Sequence, residues 1–181
     1  MAAMGGSVAR RYAKAIFAIG VEKGLFELFG RQLTELADLW KDSADLRQTL
    51  ENPVFKLSQK RAVLQGLMPR VAPARQVQSL ALLLLERGRI ANLPAVARAF
   101  EEMCDERLGR VRARVLSATP LDIASEAEIR KALERRTGKK VLMTTVVDPT
   151  LIGGVVTHVA GMVLDGSVAS RLSALKHRLL N

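Results

Sequence analysis

The sequence predicts an α+β protein: an N-terminal six-helix bundle over residues 1–106, then a small α/β domain over residues 107–181. Three observations predict it. Apolar residues recur at helical spacing as far as about residue 108, with Gly24, Gly30, Pro53, Pro69, Pro73, Gly88 and Pro94 mostly at the breaks. Near Gly109 the period drops to two. "RVRARVLS" puts Val111, Ala113 and Val115 on one face and Arg110, Arg112 and Arg114 on the other, as a half-buried strand would. Beyond it, strand-like and helix-like runs alternate at short intervals, which is the pattern of a small α/β unit.

The six helices are expected near 7–23, 25–41, 43–50, 57–68, 74–87 and 92–108. Ser7 and Ser43 carry the hydroxyl of an N-cap, and Pro94 has the fixed φ of a first-turn residue. In the first helix, Val8, Tyr12, Ala15, Ile16 and Ile19 form one apolar stripe. Ala9, Ala13, Phe17 and Gly20 form a second beside it. Together they are wider than the ~100° stripe that a surface helix needs. "SLALLLLERG", near residue 80, is apolar almost all round. Faces this wide belong either to central helices or to a groove shared with a partner helix.

Pro120 ends the first strand. Ser125 is expected to open the helix "SEAEIRKALERRTG", with Glu128 completing a capping box and Gly138 stopping it. "KKVLMTTVVD" reads as a second strand, and "GGVVTHVAGMVLDGS" as two short strands turning at Ala160-Gly161. A last helix is expected from about Ser167.

Composition narrows the class. The chain has 181 residues, 49% of them hydrophobic and 4% aromatic, so Leu, Val, Ile and Ala must fill one core or two small ones. Its longest apolar run, Leu80 to Leu85, is too short to span a bilayer. Charges embedded in the periodic N-terminal segment argue against a secretory signal. The single Cys104 excludes an internal disulfide and a cysteine-based metal site; it reads as a small buried hydrophobe. The formal charge of +10 suits nucleic acid, anionic lipid or an acidic protein without choosing among them. The excess is spread out, with 15 Lys/Arg against 11 Asp/Glu in residues 1–105 and 13 against 7 in residues 106–181.

Reactive groups are few. His158 falls in an alternating strand, sharing a face with Val156, and His177 sits in the last turn of the last helix, where a cation complements the helix dipole. Neither has metal-ligand spacing to a second donor. "TGKKV" fails as a phosphate loop, since Leu133 stands where the first glycine belongs and Lys140 where the hydroxyl belongs. Gly153 and Gly154 read as a close backbone approach or a bulge.

Asp165, Gly166 and Ser167 read as a strand–turn–helix joint, with Gly166 free to take a positive φ and Ser167 capping the helix. Beyond it Val168, Leu172, Leu175 and Leu179 form one apolar stripe. A hydrolase built on Asp165, Ser167 and His177 is excluded, because ten residues of helix separate Ser167 and His177 by about 15 Å. No catalytic, cofactor-binding or metal-binding residue is expected.

Three segments in register carry a family resemblance. "VARRYAKAIFAIGVEKG", "ERGRIANLP" and "VDPTLIGGVVTHVAGMVLDGSVASRLSALKHRLL" resemble the opening, middle and end of the ATP synthase delta subunit family, which includes the mitochondrial oligomycin-sensitivity-conferring protein. The resemblance covers the chain from one end to the other. It implies a non-catalytic stator subunit of the rotary, proton-translocating ATP synthase. The helical domain would bind N-terminal helices of the alpha subunits, and the C-terminal domain would bind the b subunits of the peripheral stalk. Head and stalk would then be held together while the rotor turns, coupling proton flow to ATP synthesis.

The resemblance also implies an alpha-binding groove between the first and fifth helices, with Tyr12, Ala15 and Ile16 on one side and Ser79 and Leu83 on the other. The b contact would lie on the C-terminal domain, with the last helix a candidate, and Arg110, Arg112 and Arg114 would face acidic residues of b or water. No cofactor and no membrane span are implied. The expected location is the cytoplasmic face of a bacterial inner membrane, or the matrix or stromal face in an organelle. The alternative is a basic nucleic-acid-binding protein. The charge and the arginine strand motivate it, but the sequence lacks interleaved aromatics or a recognisable RNA-binding motif.

Overall fold

The computed structural model of the chain describes residues 2–159, 161–170 and 172. The chain divides into two compact units, Met1–Cys104 and Asp105–Asn181. It is an α+β protein.

The first unit is helical: α1 (Ala2–Glu22), α2 (Phe26–Asp42), α3 (Ala44–Glu51), α4 (Leu57–Val71), α5 (Arg75–Glu86) and α6 (Leu93–Arg107), with a 3-10 turn at Ile90–Asn92. The amphipathic pattern sets what is buried. In α2, Phe29, Leu33, Leu36, Ala37 and Trp40 turn inward at helical spacing. They meet Ala9, Ala13 and Ile16 of α1, Leu80 and Leu84 of α5, and Phe100 of α6 in one core. Phe17 meets the edges of Phe26 and Phe100 at centroid distances of 6.0 and 5.5 Å, a preferred aromatic geometry.

Ser43 caps α3 as its position predicts, its hydroxyl accepting from the Leu46 N–H at 3.2 Å. Pro94 falls in the first turn of α6. Two expectations need correction. Ser7 lies inside α1, which already runs through it from Ala2, so it is not that helix's N-cap. Pro69 does not break α4. It lies near the end, where the missing N–H removes a single intrahelical bond. The helix stops instead at Ala72, which adopts the left-handed conformation with φ of 43°.

Gln32 holds that left-handed stop. Its amide donates to the Ala72 carbonyl at 3.4 Å, and its side-chain oxygen accepts from the Ala74 N–H at 3.0 Å. A polar side chain sits in the core because both ends are used on backbone that neither helix satisfies.

The second unit contains β1 (Arg110–Ser117), α7 (Ile123–Thr137), β2 (Lys140–Val147), β3 (Val155–Val159) and β4 (Met162–Asp165). The sheet order is β2-β1-β3-β4. β1 runs parallel to β2, in register Arg110 with Lys140, and antiparallel to β3; β3 and β4 form a hairpin. The alternation of β1 is realised: Ala113 and Val115 are buried, while Arg112 and Arg114 are exposed. Ala113, Val141 and Val159 of the sheet pack on Leu133 of α7.

The helix α7 starts two residues before Ser125. Asp122 is its cap, the carboxylate accepting from the Ser125 N–H at 2.8 Å, so Ser125 is the donor at the third position rather than the cap. Gly138 ends the helix with φ of 65°, as expected.

Candidate functional site

The helical unit has an apolar shoulder on α1 and α5 beside its core. On α1 the buried line is Ala9, Ala13, Ile16 and Gly20. One step around the helix, Val8, Tyr12, Ala15 and Ile19 lie at i, i+4, i+7 and i+11. Val8 and Tyr12 are half-buried, and Ala15 and Ile19 are exposed. The excess width of the apolar face is thus an unburied margin, not more core.

On α5, Val77, Leu80, Ala81, Leu84 and Leu85 are buried, whereas Ser79 and Leu83 share an exposed face one turn apart. Leu83 is 38% exposed, unusual in a helix otherwise so well buried. α1 and α5 pack directly on each other. Arg89, just after α5, donates to the Tyr12 hydroxyl at 3.0 Å and ties the two together. Of the five residues expected at a groove, Tyr12 and Ala15 share one margin of α1, and Ser79 and Leu83 share one face of α5. Ile16 is turned into the core at 3% exposure, where it supports the margin from beneath.

The five residues expected at the turn and cap are brought together in the second unit. The Gly166 N–H donates to the Val155 carbonyl at 2.9 Å, and the Val168 N–H to the Gly153 carbonyl at 2.9 Å. Gly154 has φ of +80°, and a Cβ there would lie 2.4 Å from the Gly166 carbonyl oxygen. The close-approach reading of the double glycine therefore holds. Gly166 departs from expectation, since it is not among the positive-φ glycines. A Cβ there would lie 3.2 Å from the Val155 carbonyl oxygen, a tight contact.

Asp165 accepts from the Ser167 N–H at 2.8 Å and from the Ser170 hydroxyl at 2.6 Å, while the Ser167 hydroxyl accepts from the Ser170 N–H at 3.2 Å. These bonds, the Ser170 hydroxyl first, hold the Asp165 carboxyl below its ordinary range. Each of these polar groups is used within the joint. His158 is exposed on the sheet, and His177, with Leu175 and Leu179, lies outside the described residues. Among the described residues, no group of three or more His, Cys, Asp or Glu could hold a metal ion, and no helix is long and apolar enough to cross a membrane.

The structure adds a charged cluster that sequence reasoning missed. Asp105, in the last turn of α6, is buried; its carboxylate accepts from Arg112 Nε at 2.5 Å and lies 3.6 Å from Arg110 Nε. Two of the three strand arginines thus have a local partner. The signal was available, since Asp105 stands seven residues before Arg112 at the junction of helix and strand, but only the turn at Gly109 brings them together.

The described residues thus present an apolar margin on the helical unit and a tight backbone joint in the second unit. Comparison with known proteins gives the family. The family model "ATP synthase delta (OSCP) subunit" matches residues 8–179. The chain is similar to the "ATP synthase subunit delta" of Anaeromyxobacter dehalogenans (strain 2CP-1), 42% identical over 174 residues, covering 96% of this chain and 97% of that one. It is similar to the same-named protein of Citrifermentans bemidjiense, 40% identical over 170 residues and 94% of each chain. It also resembles a chain in the Toxoplasma gondii mitochondrial ATP synthase hexamer, with a TM-score of 0.74 at 28% identity, covering 96% and 97% of the two chains.

The chain belongs to the ATP synthase delta (OSCP) subunit family. It is a structural subunit of the ATP synthase, peripheral within the complex, and not a catalytic one. The nucleic-acid reading receives no support from these relatives.

Proposed function

We propose that this subunit is the stator link at the top of the peripheral stalk. Its N-terminal six-helix bundle, residues 1–106, holds N-terminal helices of the alpha subunits. Its C-terminal domain, residues 107–181, holds the distal ends of the b subunits. The alpha helix lies on the shoulder formed by Tyr12 and Ala15, over Ile16, with Ser79 and Leu83 opposite. The observation that carries this is the exposure of Ala15, Ile19 and Leu83 beside a complete core. Small Ala15 lets a partner backbone approach, and Tyr12 and Leu83 supply apolar area at roughly 25 cal/mol per Å² buried.

The bacterial relatives favour the cytoplasmic face of an inner membrane as its location. Torque on the catalytic head is then resisted through two protein contacts, one on each unit, and proton flow stays coupled to ATP synthesis. Host membranes depleted of this subunit test it. Adding the protein back is expected to restore ATP-driven proton pumping. Restored ATP hydrolysis without pumping, or no effect at all, would contradict the role.

A further inference from the structure

The outer edge of β2 is long and has no strand beside it. β2 is the terminal strand of the sheet, and no strand among the described residues pairs with its outer side. The opposite edge, β4, has 4 residues, whereas β2 has 8. Backbone direction on β2 follows from its ladder. The Lys140 N–H donates to Gly109 and the Asp148 N–H to Ser117, so even-numbered residues point their backbone groups at β1. In a parallel pair the alternate residues point the other way. Val141, Met143, Thr145 and Val147 therefore present N–H and C=O outward.

One of these donors is already used. The Val141 N–H donates to Glu134 Oε1 of α7 at 3.1 Å. That leaves the outward N–H groups of Met143, Thr145 and Val147. The strand has no proline and no bulge, and it is rich in β-branched residues: "KVLMTTVV". Proteins usually blunt such an edge with charge, proline, a bulge or a short strand, and an unblunted edge is a template for strand pairing.

A groove of about 340 Å³ follows this edge, lined by Lys140 to Thr144 together with Arg112, Arg130 and Glu134. Arg130 and Lys140 are exposed on its rim, with no ion-pair partner among the described residues. Glu134, its one carboxylate, is turned to the Val141 N–H. The unit as a whole carries 13 Lys/Arg against 8 Asp/Glu. A second copy of this chain would bring the same positive charge to the contact, whereas an acidic segment would neutralise it.

We propose that the outer edge of β2 is a docking site for an extended acidic peptide segment, which joins the sheet as a fifth strand. The main chain of the segment supplies affinity through the three free donors, and its acidic side chains meet Arg130 on the α7 side of the sheet and Lys140 on the opposite face. The site belongs to the second unit and the α1–α5 shoulder to the first, so its failure would leave that reading untouched.

The full-length protein is titrated with a blocked peptide of glutamate pairs separated by threonine pairs, which places acid on both faces of the added strand, matched to the length of β2, and with its lysine-for-glutamate counterpart. Amide hydrogen exchange is followed in parallel. Saturable binding of the acidic peptide alone is expected, with exchange slowed at Met143, Thr145 and Val147. Val147→Pro and Thr145→Pro each delete one outward N–H that β1 does not use, a position where an edge strand tolerates proline. Each is expected to bind about tenfold more weakly or worse, since pairing loses a hydrogen bond and meets the ring. If either variant proves unfolded by circular dichroism, the exchange pattern of the wild type decides alone. No binding, equal binding of the basic peptide, or protection elsewhere would overturn the proposal. So would a concentration-dependent dimer protected at these same three amides, which would give the edge to a second copy.

Discussion

Gly154 and Gly166 meet backbone to backbone. Gly154 has φ of +80°, and a Cβ on it would stand 2.4 Å from the Gly166 carbonyl oxygen. This contact brings the start of β3 against the exit of β4 and fixes the point from which the final helical turn leaves the sheet. Gly154→Ala therefore faces both an unfavourable φ and a backbone collision. It is expected to cost about 2–4 kcal/mol in urea unfolding. Gly24 is the control. Its φ is +67° with nothing within 4 Å, so Gly24→Ala should cost only the conformational part, about 1 kcal/mol. Equal losses would mean that the collision is absent.

Gln32→Leu should destabilise the helical unit. The buried amide satisfies the Ala72 carbonyl and the Ala74 N–H around a left-handed residue. Leucine fills the volume but strands both backbone groups, at about 1–3 kcal/mol. Chemical denaturation reads the loss, and an unchanged midpoint would show that water serves these groups equally well.

Acid should loosen the joint at Asp165. Its carboxyl is held low by the Ser170 hydroxyl first and the Ser167 N–H next. Asp122 and Asp148 are held low in the same way, by Ser125 and Thr150. A folded-state pKa below the unfolded one means that the unfolded chain takes up protons first as pH falls. The stabilisation is thus complete above the ordinary carboxylate range, near pH 4, and fades as pH drops through the lower folded-state value. Asp165→Asn removes one such group. Its stability should fall less steeply than that of the wild type between about pH 5 and about pH 3. Parallel curves would assign no linkage to Asp165.

How much of this was legible before the structure varied with the range of the cause. The helices and strands followed from periodicity and from local punctuation such as Ser43 and Gly138, whose partners lie within a few residues. Local punctuation also misled. Ser125 was expected to open α7, but the structure caps it with Asp122, three residues earlier. Gly166 was read for its dihedral freedom, but its φ is not positive, and its backbone instead lies close to Val155, eleven residues away.

The same holds for the surface. The width of the α1 face announced itself, but which residues stayed outside did not. Ile16 looked equivalent to Ala15 on the helix, and only the packing of α2, α5 and α6 turned one into core and left the other exposed. The strand order was not readable, since it depends on how distant segments meet; the Asp105 clasp is local, but it forms only through the turn at Gly109.

The central claim is that the shoulder between α1 and α5 receives a helix from the alpha subunit. Calorimetric titration of the purified protein with a peptide from the N-terminus of its host's alpha subunit tests it most directly, with Ala15→Asp alongside. Ala15 is exposed, so the variant should keep the circular dichroism spectrum and unfolding midpoint of the wild type to within about 0.5 kcal/mol. The account predicts saturable one-to-one binding by the wild type and its loss in the folded variant, where a charge is buried without a partner. Undiminished binding by Ala15→Asp, or none by the wild type, would contradict it.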